Sequence, residues 1–409
     1  MSAICVMPGH PLLKTRSVGQ TFPYDGHRPL GSLRAAIAAT QPCLVIPCDD
    51  RGVQHLHQLF AESFDSGTPG TDLALLIERS LGCPESFSVV SARYDLVKIA
   101  EKQGIRVAHT SLIKTVGDLK AWREKQPLPW VLKVDGTWGG RGVRIANTVE
   151  QAEKFFLELT RARGVGEMVK QLVMNRDRSW LWPGRDEAKP SVIVQSHISG
   201  RPANCAVVCS KGRVLAGIGV EVVSSRGEKG PANVVRVVES RAMMSAAERL
   251  AGSLGLSGFF GLDFMIENGS DATYLIEMNP RCTPLCHLQL GKGQDMIEAL
   301  WAQVSAQPFK EIPPVTQKDM IAYFPQALNC GSETLEASFL DRPDEDPELV
   351  QELLHPWAER SLLGRLVDSV RELKNKGAAS SDYVFSAALS ATEVSVPVRN
   401  MSAANSLHR

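Results

Sequence analysis

The chain has 409 residues, with 45 Lys+Arg against 45 Asp+Glu and a formal net charge of zero. That balance excludes a broadly basic nucleic-acid or membrane-surface protein. The length exceeds one simple core and predicts two or three domains. At 44% hydrophobic and 22% charged the make-up is that of a globular protein, and no apolar run reaches the length of a membrane span.

The first residues, M-S-A-I-C-V-M-P-G-H, lack a basic start and a long apolar segment, so no signal peptide is expected. S-A-I-C-V-M-P predicts a strand, and 8–29, rich in Gly, Pro and His, a loop. G-S-L-R-A-A-I-A-A-T predicts a helix, and C-L-V-I-P-C-D-D a second strand ending in two acids. Helical patterns follow at 52–62 and 70–81, then a strand at 87–90 (F-S-V-V) and a helix over 92–103. Strands alternating with helices at this pitch predict an open parallel sheet.

From Trp130 strand-like runs dominate: W-V-L-K-V, S-V-I-V-Q-S-H-I, N-C-A-V-V-C, R-V-L-A-G-I-G-V-E-V, V-V-R-V-V, F-F-G-L-D-F-M-I and Y-L-I-E-M-N. Helices are expected near 148–163 and 240–254, an inserted loop at 173–190 and a polar tail over 376–409. Short turns such as S-K-G and E-N-G-S-D predict antiparallel hairpins. Nine cysteines, with no C-x-x-C among them, fit reduced thiols and a cytoplasmic setting. The closest pairs, Cys205/Cys209 and Cys282/Cys286, lack the neighbours of a zinc site, and His55 and His57 read as structural.

The hairpin around E-N-G-S-D carries the first chemical signal. A register symmetric about Ser270 pairs Ile266 with Tyr274, Phe264 with Ile276 and Asp263 with Glu277. Facing residues have Cβ atoms roughly 4.5–5.5 Å apart, where like charges are destabilising. Two carboxylates there call for a cation, a shared proton or a neighbouring base. Asn279, on the same face, adds a neutral oxygen. Asp263, Glu277 and Asn279 form a hard oxygen set suited to Mg²⁺, with Mn²⁺ as a substitute, and leave positions for water and nucleotide phosphates. Arg281 follows at once and can reach such phosphates with its planar fork. The competing reading is a pair of solvated acids on an open sheet face.

The second signal is W-V-L-K-V-D-G-T-W-G-G-R-G-V, residues 130–143. A strand delivers Lys133, and a loop with Gly136, Gly139, Gly140, Arg141 and Gly142 follows. Glycines let backbone N–H groups close on phosphate. The lysine precedes the glycines and no G-K-S/T occurs, so this is not a P-loop.

A strand lysine, a glycine-rich flap and a later D…E-x-N-P-R hairpin together resemble the ATP-grasp superfamily, among its carboxylate–amine ligase-like members. The resemblance covers roughly residues 87–300. It implies an N-terminal open parallel-sheet α/β domain followed by an ATP-grasp fold of two α+β subdomains clasping ATP. The expected boundaries are 1–90 for the N-terminal domain, 91–200 for the small subdomain with the flap, 201–325 for the large subdomain with the metal site, and 326–409 for a C-terminal helical segment and tail. By the resemblance, Lys133 contacts nucleotide phosphates, Gly139, Gly140, Arg141 and Gly142 fold over them, and Arg281 meets the transferred phosphate. Arg93, in S-A-R-Y-D-L-V-K, stands where the family more usually has a phosphate-facing lysine. The hinge strand implies an adenine edge read by backbone groups of Gln195, Ser196, His197 and Ile198. Gln195 and Pro202 depart from the glutamates often found around that hinge.

The implied cofactors are ATP with Mg²⁺. The implied reaction activates a small carboxylic acid as an acyl phosphate and joins it to an amine, releasing ADP and phosphate. Bicarbonate or a protein acceptor, or a nucleotide-binding protein without turnover, are the alternatives. Arg226, Arg236 and His287 are candidate substrate contacts, and the flap and the 224–233 loop candidate lids. The expected partners are small-molecule acid and amine, with no nucleic acid and no membrane; similar proteins commonly form homodimers.

Overall fold

Helices, more than strands, build the N-terminal segment. β1 (Ser2–Cys5) pairs in parallel with β2 (Gln20–Pro23), which lies inside the stretch expected as loop. Helices α1 (Pro29–Thr40), α2 (Asp50–Asp65) and α3 (Asp72–Leu81) pack around Leu33, Leu56, Leu59 and Ile77. The strand expected at 43–50 does not form: Pro47 has no N–H for a ladder, and the Val45 N–H donates to Ser80 Oγ at 3.0 Å instead. F-S-V-V is helix α4 (Phe87–Val90), with Phe87 and Val90 buried three residues apart. A short apolar run of four does not distinguish strand from helix by periodicity alone. The parallel pairing is therefore present, but in two strands.

The structure, a computed structural model, describes residues 1–5, 10–65, 72–135, 142–160, 191–225 and 230–354. The chain divides into a unit of Met1–Glu359 and a second of Arg360–Arg409, which lies outside the described residues. The inserted loop expected at 173–190 and the tail at 376–409 also lie outside them.

After α5 (Arg93–Lys102) comes a four-stranded antiparallel sheet with the order β3-β6-β4-β5. Its strands are β3 (Thr110–Ile113), β4 (Trp130–Val134), β5 (Val143–Ala146) and β6 (Val192–Ser196). Two helices, α6 (Val116–Arg123) and α7 (Val149–Thr160), cover it through Leu119 and Phe156 against Trp130, Leu132 and Val194. β3 and β5, of four residues each, were not expected from the pattern; such short strands show too little alternation.

The larger sheet has the order β11-β10-β7-β8-β9-β12-β13. Its long members are β7 (Gly200–Ser210), β8 (Arg213–Ser225), β9 (Ala232–Val237), β10 (Gly258–Glu267) and β11 (Thr273–Asn279). Helix α8 (Arg241–Leu254) buries Met243, Ala247, Leu250 and Leu254 against Phe260, Leu262 and Phe264 on one face. Helix α9 (Met296–Ser305) and Leu285 cover the other face, on Ile218, Val220 and Phe259. Covering both faces explains why these strands read as near-continuous apolar runs. The short β12 (Met320–Tyr323) and β13 (Phe339–Asp341) extend the far edge.

Asp263 pairs with Glu277 across β10 and β11, as the symmetric hairpin predicts. The register then shifts: Phe264 pairs with Leu275 and Ile266 with Thr273, rather than with Ile276 and Tyr274. Ile276 is thus the extra residue of a β-bulge, a device that re-aims side chains. Its effect is to send both Leu275 and Met278, three residues apart, into the same core. Simple alternation fails there, while Glu277 and Asn279 remain with Asp263.

Candidate functional site

The carboxylates sit beside Asn204 of β7, which pairs with Asp263 from the other side. Burial pushes the Asp263 carboxyl up to about 6, and the charge of Glu277 adds to the rise. Asn279 donates from Nδ2 to Asp263 Oδ2 at 3.0 Å, and its Oδ1 accepts from Arg281 Nη2 at 3.1 Å. Arg281 Nε donates to Asp50 Oδ1 at 3.0 Å, so a carboxylate at the first turn of α2 anchors the guanidinium. The Cys282 N–H donates to the Pro47 carbonyl at 3.0 Å, fixing the same segment to the turn after Arg281.

A second chain of contacts starts at Arg93, the first residue of α5. Its Nη2 donates to Glu277 Oε1 at 2.8 Å, its Nη1 donates to the Val134 carbonyl at 2.6 Å, and Asp135 Oδ1 lies 3.6 Å away. Arg93 thereby joins the end of β4 to β11. Burial pushes the Asp135 carboxyl up as well. Lys133 is 4% exposed and donates from Nζ to the Ile276 carbonyl at 3.4 Å, beside the bulge. Its position brings it into the fields of Glu277 and Asp263.

Burial lowers the Lys133 ammonium to about 8, and the Arg93 charge lowers it further, while Glu277 and Asp263 oppose the shift. A lysine that holds phosphate only when protonated then makes nucleotide affinity pH-sensitive. Above pH 8 the free protein must take up a proton to bind, so affinity is expected to fall by up to about tenfold per pH unit. Below pH 8 the lysine is already charged and contributes no such slope. Calorimetric titration of MgATP between pH 7 and pH 9.5 measures this, and Lys133→Arg should flatten the profile.

Of the flap residues, Gly136, Gly139, Gly140 and Arg141 lie outside the described residues. Gly142 is described, and its carbonyl accepts the Val134 N–H at 3.1 Å, closing the base of the loop. In the hinge, Gln195 is buried and donates from Nε2 to Thr110 Oγ1 at 2.9 Å. The Ser196 and His197 N–H groups donate to the His109 and Pro129 carbonyls at 2.9 and 3.3 Å. Those two donors are therefore engaged within the protein, and Ile198 follows at the end of β6.

The substrate candidates do not gather at the carboxylates. Arg226 lies outside the described residues. Arg236 pairs with Glu221 and Met320, one step out of phase with the row Asp263–Asn204–Val220–Val237, so it is on the opposite sheet face. There its Nε meets Asp319 Oδ2 at 3.5 Å. His287 pairs with Asp341 of β13 at 2.9 Å, which raises its pKa. Cys286 is buried and its Sγ accepts the Thr283 N–H at 3.2 Å. Burial pushes Cys205 and Cys209 up to about 12, in keeping with packing thiols rather than nucleophiles.

Asp50 and Asp135 are site residues that the sequence reading did not assign. Asp50 was visible as one of two acids closing an apolar run, and Asp135 directly follows Lys-Val. Neither signal says which distant cation it meets.

The donor set fits a hard divalent ion. Two carboxylates face each other with an amide beside them, and among the described residues no group of three His, Cys, Asp or Glu is gathered for a metal. Such a ligand-poor oxygen set leaves positions for water and phosphate, the habit of Mg²⁺. The Asn279 amide directs its nitrogen at Asp263, so its oxygen would join the set only after the amide turns over.

Two sheets of unequal size, with Lys133 and the paired acids between them, define an α+β fold. Residues 118–284 match the family model described as the ATP-grasp domain. That stretch resembles an ATP-grasp domain. It is 28% identical over 208 residues to the carbamoyl phosphate synthase large chain of Pyrococcus furiosus, covering 49% of this chain and 18% of that protein. The chain thus spans less than a fifth of that relative's length. The biotin carboxylase domain of a Hydrogenobacter thermophilus 2-oxoglutarate carboxylase, solved with MgADP, ADP and bicarbonate, superposes with a TM-score of 0.54 at 13% identity, over 76% of this chain and 71% of that one. An ADP complex of N5-carboxyaminoimidazole ribonucleotide synthetase gives 0.52 at 15% identity, over 76% and 72%. These two likenesses are of fold. No helix among the described residues is long and apolar enough to cross a membrane.

Proposed function

We propose that the chain is an ATP-dependent ligase that activates a small carboxylic acid as an acyl phosphate and joins it to an amine. The observation that carries this is the gathering of Asp263, Glu277 and Asn279 with Lys133 and Arg281 at one place, from segments far apart in the chain. A carboxylate is a poor electrophile, so it needs a leaving group. Its oxygen attacks the γ-phosphorus of ATP, the bond from that phosphorus to the bridging oxygen breaks, and ADP leaves. The amine nitrogen then attacks the acyl carbon, phosphate departs, and the amine's proton passes to solvent.

Lys133 holds positive charge against the phosphates, and Arg281, anchored by Asp50, presents its fork to the transferred group. A divalent ion on Asp263, Glu277 and the Asn279 oxygen would neutralise charge on the nucleotide. Water must be kept from this step, since it would otherwise hydrolyse the acyl phosphate. Asp50→Asn keeps the shape but removes the charge that holds Arg281, and a fall in turnover of about tenfold is expected, with the KM for ATP little changed.

The test is ADP release with MgATP across a panel of amino acids, other small acids and bicarbonate, each with and without an amine. Bicarbonate belongs in the panel because the biotin carboxylase of similar fold was solved with it. Turnover that requires both acid and amine supports the proposal. A silent panel with tight, Mg²⁺-dependent ATP binding would assign the chain to nucleotide binding without turnover.

A further inference from the structure

Two carboxylates facing across a ladder need a cation, and the protein supplies one of its own. Glu277 is 25% exposed in its side chain and Arg93 15%, so their 2.8 Å contact is largely withdrawn from water. The same guanidinium donates to the Val134 carbonyl at 2.6 Å and lies 3.6 Å from Asp135. Three points from two sheets therefore converge on one side chain. Asp263 is served differently, by the Asn279 amide at 3.0 Å. Each acid has a donor of its own.

We propose that Arg93 is an internal counter-cation that holds Glu277 in the metal's place and is handed over to the nucleotide phosphates when metal and nucleotide arrive together. The inference rests on reading Asp263, Glu277 and Asn279 as the metal face. A metal ion alone must displace Arg93 from its 2.8 Å contact with Glu277 and gives the guanidinium no new anionic partner in exchange, so it binds poorly. With a nucleotide present the displaced arginine gains a phosphate partner. Binding of free metal and of metal–nucleotide thus become coupled, and the contact from α5 to β4 and β11 is remade at each cycle.

The coupling has a signature of opposite signs. Arg93→Gln is expected to bind Mn²⁺ alone about five- to tenfold more tightly than the wild type, since an ion pair no longer competes. The same variant is expected to bind Mn²⁺–ATP several-fold more weakly. Electron paramagnetic resonance on the full chain reads free Mn²⁺, and calorimetry reads Mn²⁺–ATP. Arg93→Lys keeps the charge but cannot span Glu277 and the Val134 carbonyl with one planar fork. It should lie between the two, at about twofold tighter Mn²⁺ binding, and serves if Arg93→Gln does not fold. Free-ion affinity unchanged or weakened in Arg93→Gln overturns the proposal. So does Arg93→Lys matching the wild type, which would mean that long-range charge alone is at work. Asp263→Asn separates the levels. If it abolishes Mn²⁺ binding while Arg93→Gln changes nothing, the metal face stands and the hand-over falls. If Asp263→Asn binds Mn²⁺ like the wild type, both fall.

Discussion

Asp263→Asn is expected to lower ADP release by about 10²–10³-fold, with whichever acid of the panel supports turnover. The loss follows from removing one of the two facing carboxylates that, in the proposed reaction, hold the nucleotide's metal ion. Stability should move the other way. Burial and the Glu277 charge hold the Asp263 carboxyl near 6, against 3.8 for the ordinary group. Between those two pH values the folded, metal-free protein keeps a proton that the unfolded chain releases. Its stability is therefore greater at the acid end of the window and falls as pH rises through about 6. Asparagine removes that slope and the like-charge contact with Glu277, so the metal-free variant should melt no lower than the wild type at pH 7. Thermal melts at pH 4.5 and pH 7 with chelator measure it. A steeply destabilised variant with full turnover would remove Asp263 from the chemistry.

Arg281→Gln is the second large effect. Arg281 touches Asn279 on one side and Asp50 on the other, so its plane is set before any ligand arrives. A fixed fork aimed at a transferred phosphoryl group acts mainly in the transition state, and its loss should appear in kcat rather than in ATP affinity. A drop of about 10²-fold or more in kcat is expected, with MgADP binding within a few-fold of the wild type. Asp50→Asn should cost less, and the double variant little more than Arg281→Gln alone, because the aspartate acts through the arginine. Additive losses would mean that Asp50 has work of its own.

Much of the centre was legible because it is local. Asp263 and Glu277 face each other as a symmetric hairpin predicts, although next to the turn the register runs one step off and the extra residue Ile276 restores it; Asn279 lies two residues along the same strand. Lys133 stood out on a strand entering a run of glycines. The bulge at Ile276 was not legible, since an extra residue in one strand changes no local propensity; it appears only when Leu275 and Met278 compete for one core. Arg236 misled for the opposite reason. An arginine in an apolar strand suggests a buried anchor, but strand phase put it on the far face with Asp319.

By itself, the sequence determined the strand-rich texture after Trp130, the acid pair and the lysine, since side-chain period, turn residues and the spacing of like charges are properties of contiguous chain. Tertiary structure decided which partners the cations take. Arg93 meets Glu277 across 184 residues and Arg281 meets Asp50 across 231. Contacts that distant exist only once α5 has docked on β11 and the start of α2 has reached the segment just beyond it, and that docking follows from burial of apolar surface summed over the whole core rather than from any motif.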